Sequence, residues 1–155
     1  MNILCRFVWT MLLALCGCGV TVPKVEHGFE FDMGRNSPDF EILQFRYGDG
    51  RQEGTSSEVG WKKFGKSPQS VQVLNLMPVG GQLSVKWKSR RSGKVFEREI
   101  DLTLLLPPDM KGRRIRMDVR EGELLIYLKS PSKASKALPG ALVEPIFDKA
   151  LLFRG

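Results

Sequence analysis

The side chains best suited to chemistry in this 155-residue chain are three cysteines and a single histidine. Cys5, Cys16 and Cys18 all precede residue 19, so the rest of the chain has no thiol to act as a nucleophile or a metal ligand. His27 lies in a stretch without sustained periodicity, where we expect a solvated side chain, whereas a catalytic histidine must be held by a rigid scaffold. A zinc site needs three or four protein ligands. We therefore expect a protein that is not an enzyme, with no catalytic residues, no metal and no cofactor.

A row of carboxylates is the one other candidate for chemistry. Glu97, Glu99 and Asp101 alternate along a predicted strand and therefore lie on one face of it. Such a row could bind a cation or act as an acid–base pair. We favour the simpler role of charge pairing with Arg114 and Arg116 on a neighbouring strand.

The N-terminus has the pattern of an export signal. Arg6 is the only charged residue among the first twenty, and it precedes an apolar run over residues 7–15. This run matches the apolar region of a secretory signal peptide, roughly 7–15 residues long. A transmembrane helix would need about 20 apolar residues. The leader therefore predicts export, with residues 1–17 as the signal peptide.

The end of the leader identifies a site of lipid attachment. The run Leu15-Cys16-Gly17-Cys18 resembles the lipobox of bacterial lipoproteins, in which a branched aliphatic residue and two small residues precede the acceptor cysteine. The resemblance implies cleavage before Cys18 and acylation there. Gly19 follows the acceptor, which implies the periplasmic face of the outer membrane, with the inner membrane as the alternative. Several acyl chains anchor firmly, since each buried methylene contributes about 0.8 kcal/mol.

Charge limits the kinds of partner. The chain has a formal net charge of +7, and the excess is concentrated in residues 86–94 (KWKSRRSGK) and 111–120. A basic surface attracts nucleic acid, anionic lipid and acidic protein through the same field. We expect no nucleic acid partner for an exported protein, which leaves lipid and protein, or a basic face that only keeps the domain soluble.

From Asp39 onward the pattern is that of β-strands. Apolar and polar residues alternate over 83–88 and 114–120, and each run is followed by a turn and a second strand, as in a hairpin. Trp87 shares its parity with Leu83 and Val85, which predicts burial in the core. Turn signals about every 8–12 residues favour an all-β fold, either an antiparallel β-sandwich or an open barrel of short strands. We place a single β-rich domain at 39–155, behind the signal peptide and a lipidated tether at 18–38.

One segment of the predicted domain is similar to a known group of proteins. Its motifs are the turn MPVGG at 77–81, the strand LSVKW at 83–87, the runs SGKVFE at 92–97 and LPPDMKG at 106–112, and the strand LLIYL at 124–128. Together these motifs resemble small proteobacterial lipoproteins that are themselves similar to type VI secretion immunity proteins, which protect a cell from a neighbour's toxin.

The resemblance implies a binding module that neutralises a secreted toxin by occluding it. We expect the basic loop of Arg90, Arg91 and Lys94 to steer an acidic toxin, with Trp61 as an aromatic anchor beside Lys62 and Lys63. The alternative is an envelope-maintenance lipoprotein whose basic face binds anionic lipid or lipopolysaccharide.

Overall fold

The computed structural model describes residues 24–59, 61, 64–132 and 147–155. Over this part of the chain, strands dominate and the single helix has four residues, so the predicted all-β class is confirmed. The elements in chain order are β1 (Lys24–Asp32), α1 (Met33–Asn36), β2 (Phe40–Tyr47), β3 (Ser70–Pro78), β4 (Gln82–Ser89), β5 (Val95–Asp101), β6 (Arg114–Val119), β7 (Leu124–Pro131) and β8 (Phe147–Arg154). The predicted signal peptide and Cys18 lie outside the described residues.

The strands form two sheets. The large sheet has the order β3-β1-β6-β7-β8, and the small sheet has the order β2-β4-β5. Neighbouring strands are antiparallel except for β1 and β6, which are parallel. Both predicted hairpins, β4–β5 and β6–β7, are present. Gly93 (φ 71°) and Gly122 (φ 73°) occupy the left-handed backbone region in their turns, where glycine has no steric penalty.

Strand β1 corrects the predicted tether. It lies inside the large sheet between β3 and β6, although the sequence indicated a tether through residue 38. His27, Phe29 and Phe31 alternate toward the core and are 0–2% exposed. The alternation covers only His27, Phe29 and Phe31, and the sequence alone does not show that β3 and β6 flank the strand on both sides. The β-rich unit therefore includes residues 24–38.

Aromatic rings join the two sheets across the core. Phe29 of the large sheet stacks on Tyr47 and Phe45 of the small sheet, with ring centroids 5.1 and 5.9 Å apart. Trp87 is fully buried, as predicted from its parity, and stacks on Phe96 at 5.6 Å. Its indole N–H donates to the Arg120 carbonyl over 3.0 Å, so the hairpin β6–β7 is tied to the small sheet.

The edge strands show where alternation is interrupted. A bulge between Ile42 and Gln44 interrupts β2 and leaves Leu43 exposed. On β5, Arg98 faces the core side opposite Val85, yet its guanidinium reaches out to the carbonyls of Glu97 and Gly122. Leu151 of the edge strand β8 is 52% exposed.

The strand directions give the molecule two distinct ends. At the Lys24 end, Lys24 pairs with Pro78, and the backbone N–H of Gly112 donates to the Glu26 carbonyl over 3.1 Å. At the Arg90 end, the backbone N–H of Arg90 donates to the Asp39 carbonyl over 2.8 Å, near α1 and the β6–β7 turn. The nine residues of β1 separate the ends, and the eight steps between the first and last of them span about 26 Å at roughly 3.3 Å per step.

Candidate functional site

A cavity of about 420 Å³ lies on the outer face of the large sheet, the face turned away from the core. Residues of β1, β3, α1, β6, β7 and β8 line it, because alternation along the strands directs every second side chain outward. Phe147 forms part of its wall. The charged residues in its lining are Glu30, Asp32, Arg35, Arg114, Arg116 and Lys129. We call this site the cation cavity.

Glu30 lies at the centre of the charged lining. Its Oε1 is 2.7 Å from the Lys129 ammonium, and its Oε2 is 3.4 Å from Nη1 of Arg114. The Glu30 side chain is only 12% exposed, so water screens these pairs weakly. Gly28 makes the arrangement possible, since a Cβ at this position would lie 2.7 Å from Cγ of Arg114. The arginine stem therefore crosses β1 where the strand has no side chain.

Asp118 forms the second centre, next to the cavity. Its Oδ1 accepts a hydrogen bond from Nε of Arg116 over 3.0 Å, and its Oδ2 is 3.4 Å from the Lys149 ammonium. Lys149 also lies 3.4 Å from the ring centroid of Tyr127. Cations over aromatic faces are stabilised by the ring quadrupole. Two carboxylates thus order four cations on three adjacent strands.

Phe147 completes the cation cavity with two further cation–π contacts. Its ring centroid lies 5.1 Å from the Arg114 guanidinium and 5.0 Å from the Lys129 ammonium. Among the described lining residues, four are cationic and two are anionic, which leaves a surplus of two positive charges in a concave site. Concavity and surplus charge together favour an anionic ligand, and a guanidinium binds carboxylate or phosphate in a fixed fork geometry.

The residues that we predicted to bind a partner lie elsewhere. Arg90, Arg91 and Lys94 are exposed in the β4–β5 turn at the Arg90 end. Trp61 is partly buried in the β2–β3 loop, 5.7 Å from the Phe64 ring. Lys62 and Lys63 fall outside the described residues. The described part of the predicted site thus divides between two loops, and neither loop contributes to the cation cavity.

The predicted pairing of the acidic row with Arg114 and Arg116 is wrong. Strands β5 and β6 belong to different sheets, and Glu97 pairs with Lys86 of its own sheet at 3.3 Å. Arg114 and Arg116 pair with Glu30 and Asp118 instead. Within 24–59, 61, 64–132 and 147–155, no group of three or more His, Cys, Asp or Glu side chains is placed to hold a metal ion.

His27 is buried, contrary to the expectation of a solvated side chain. Its Nδ1 lies 2.8 Å from the Val25 carbonyl, and its Nε2 lies 2.7 Å from the Tyr47 hydroxyl. A carbonyl can only accept, so Nδ1 carries the proton and Nε2 accepts from Tyr47. Burial lowers the pKa of His27 below its usual 6.5, and the hydrogen bond to Val25 opposes this in part. Burial also raises the pKa of the Tyr47 hydroxyl.

The depressed pKa of His27 predicts a loss of stability in acid. The unfolded chain takes up a proton near pH 6.5, whereas the folded chain stays neutral to a lower pH. Between the lowered pKa of the folded state and the usual pKa of the unfolded state, the unfolded state binds more protons, so the free energy of unfolding falls as the pH falls, by at most about 1.4 kcal/mol per unit. Urea denaturation between about pH 7.5 and pH 5 measures this slope. The His27→Gln variant should show a shallower slope, and equal slopes would contradict the assignment.

The cation cavity could not be found from the sequence because it depends on the parallel pairing of β1 and β6. These strands are more than eighty residues apart in the chain. Their register pairs Glu30 with Arg116 and so brings the charged side chains of the two strands next to one another. The available signal was the regular spacing of Arg114 and Arg116 in an alternating strand, which indicated an outward-facing basic row without its partners.

Comparisons with known proteins identify no relative. No family model matches the chain, and no curated protein or solved structure matches it either. Among the described residues, no helix has the length and apolar character needed to span a bilayer.

Proposed function

We propose that this chain is an exported lipoprotein, anchored through Cys18 to the periplasmic face of the outer membrane, that neutralises a secreted toxin by binding it. The fold that would carry this function is a β-sandwich in which the two sheets enclose one core. The observation that carries the proposal is the cation cavity, with four cationic and two anionic lining residues among those described. In this proposal, an acidic side chain of the toxin enters the cavity.

Apolar side chains on the same outer face of the large sheet as the cation cavity support a protein as the ligand. Leu74 and Leu76 of β3 are 51% and 55% exposed, and their register with Gly28 and Glu26 puts them on the outer face of the large sheet. Leu151 of β8 is 52% exposed on the same face, opposite Tyr127. Arginine and aromatic residues within an apolar surround are typical of the energetically important centre of protein interfaces.

The anchor increases the efficiency of such an inhibitor. A lipid at Cys18 would confine the domain to the envelope layer in which a delivered toxin acts. Confinement raises the effective concentration of the binding surface without any additional contact. Electrostatic complementarity would then mainly accelerate the encounter and exclude partners of the wrong charge.

The test pairs this protein with effector candidates encoded beside its gene. Cells that export the effector to the periplasm should survive when they produce the wild-type protein. The Arg116→Ala and Arg35→Glu variants should bind the effector at least about tenfold more weakly, because each removes a cation facing the cavity. The control Lys88→Glu reverses an exposed charge on the outer face of the small sheet and should protect normally.

Two outcomes would count against the proposal. If the effectors kill cells equally with and without the protein, the neutralising function is wrong. If the protein protects but both cavity variants protect as well as the wild type at equal thermal stability, the function stands and the cation cavity is not the binding site.

A further inference from the structure

A loop at the Lys24 end exposes the most accessible of the large hydrophobic side chains described. The Leu104 loop, residues 102–113, joins β5 to β6, and Leu104 is 93% exposed. The same loop buries Leu102, Leu106 and Met110 at 0–7% exposure. The backbone N–H of Leu106 also donates to the Leu102 carbonyl over 3.0 Å. Leu104 therefore projects from a turn that is fixed to the core on both sides.

The Leu104 loop lies next to the start of β1. The backbone N–H of Leu102 donates to the Gly81 carbonyl over 2.9 Å, directly after the turn that follows Pro78, the register partner of Lys24. At the other end of the loop, Gly112 bonds the Glu26 carbonyl. Both ends of the loop are thus attached to residues that neighbour Lys24.

The chain length between the anchor and β1 puts this loop near the bilayer. Residues 19–23 separate Cys18 from Lys24, and a fully extended chain covers at most about 3.6 Å per residue, so the six steps from Cys18 to Lys24 span at most about 22 Å. The Lys24 end therefore stays within that distance of the acylated cysteine. Strand β1 runs away from this point and carries the Arg90 end to the opposite side of the domain.

Charge around the Leu104 loop is balanced. Lys24, Lys111 and Arg113 lie at this end, together with Glu26, Asp101 and Asp109. Attraction to anionic headgroups is therefore weak, and the apolar side chain is the group that gains by leaving water. The contact should depend little on salt.

We propose that the Leu104 loop inserts into the bilayer that holds the acylated Cys18, as a second attachment point that fixes the orientation of the domain. This rests on the lipid anchor of the proposed function. One leucine is too weak to hold a free domain, but the anchor keeps the loop at high local concentration, so a single apolar contact suffices. The orientation leaves Arg90, Arg91 and Lys94 facing the periplasm.

The experiment uses the full acylated protein in vesicles of phosphatidylethanolamine and phosphatidylglycerol. The sequence has no cysteine after Cys18, so Leu104→Cys introduces a single labelling site for an environment-sensitive fluorophore. The matched control is Val95→Cys, which is 50% exposed at the Arg90 end. We expect a blue-shifted emission at position 104 and quenching by acyl-chain nitroxides several-fold stronger than at position 95.

A second pair of variants tests whether the attached fluorophore, rather than Leu104, causes the quenching. With the label at Pro108→Cys in the same loop, adding Leu104→Asp should abolish the quenching. Equal quenching at positions 104 and 95, or quenching at 108 that survives Leu104→Asp, would overturn the inference. Mass spectrometry of the same samples shows whether Cys18 is acylated. An unmodified cysteine refutes the anchor, whereas an acylated protein with a water-exposed loop refutes only the insertion.

Discussion

Replacing Phe29 with alanine should lower the free energy of unfolding by about 3–5 kcal/mol, the range for large-to-small changes at fully buried aromatic positions. Phe29 is 0% exposed and lies on an interior strand of the large sheet. Its ring stacks on Tyr47 and Phe45 of the small sheet. The substitution therefore removes contacts within one sheet and between both, and it leaves a cavity that the surrounding strands can close only in part.

Such a loss is large for a domain whose total stability is typically about 5–15 kcal/mol. Chemical denaturation followed by tryptophan fluorescence measures it, since Trp87 is buried in the same core. Leu74→Ala is the matched control, because Leu74 is 51% exposed on the neighbouring strand β3, and it should change stability by less than about 0.5 kcal/mol. A Phe29→Ala cost below about 1 kcal/mol would show that the two sheets do not depend on this stack.

The parts of the fold that local sequence determines were predictable. The hairpins β4–β5 and β6–β7 follow from alternation and from glycine in the turns, and the burial of Trp87 follows from its parity. Each of these features involves residues close together in the chain. The bulge in β2 is a further local feature, because one extra residue reverses which face the following side chains occupy.

The parts that depend on distant pairing were not predictable. Strand β1 has the apolar alternation of a strand, but only its position between β3 and β6 explains why His27 is buried and Glu30 is surrounded by cations. When the position of β1 in the sheet is not known, the sequence of residues 24–38 indicates a tether. The prediction that the acidic row of β5 pairs with Arg114 and Arg116 was wrong for the same reason. The spacing of residues within one strand does not show which sheet that strand joins.

Glu30→Gln should destabilise the fold by about 3 kcal/mol, the lower end of the range for removing one member of a buried ion pair. The substitution keeps the shape of the side chain and removes its charge. Lys129 and Arg114 are only 20% and 18% exposed, so both cations lose their carboxylate where water can replace it only in part. Most of the lost stability comes from leaving these two cations unpaired rather than from losing their attraction to Glu30. Thermal or urea denaturation measures the change in the free energy of unfolding.

The small sheet provides the matched control for this prediction. Glu97 pairs with Lys86, but the two side chains are 63% and 41% exposed, so Glu97→Gln should cost below about 0.5 kcal/mol. If unpaired cations cause the loss at Glu30, then removing one of them in Glu30→Gln/Lys129→Met should recover part of the stability, an interaction that a double-mutant cycle measures. A double variant less stable than the sum of the two single changes would contradict this explanation. Recovery would show that Glu30 holds together cations that otherwise repel one another, which is the condition for keeping a positively charged cavity open to an anionic partner.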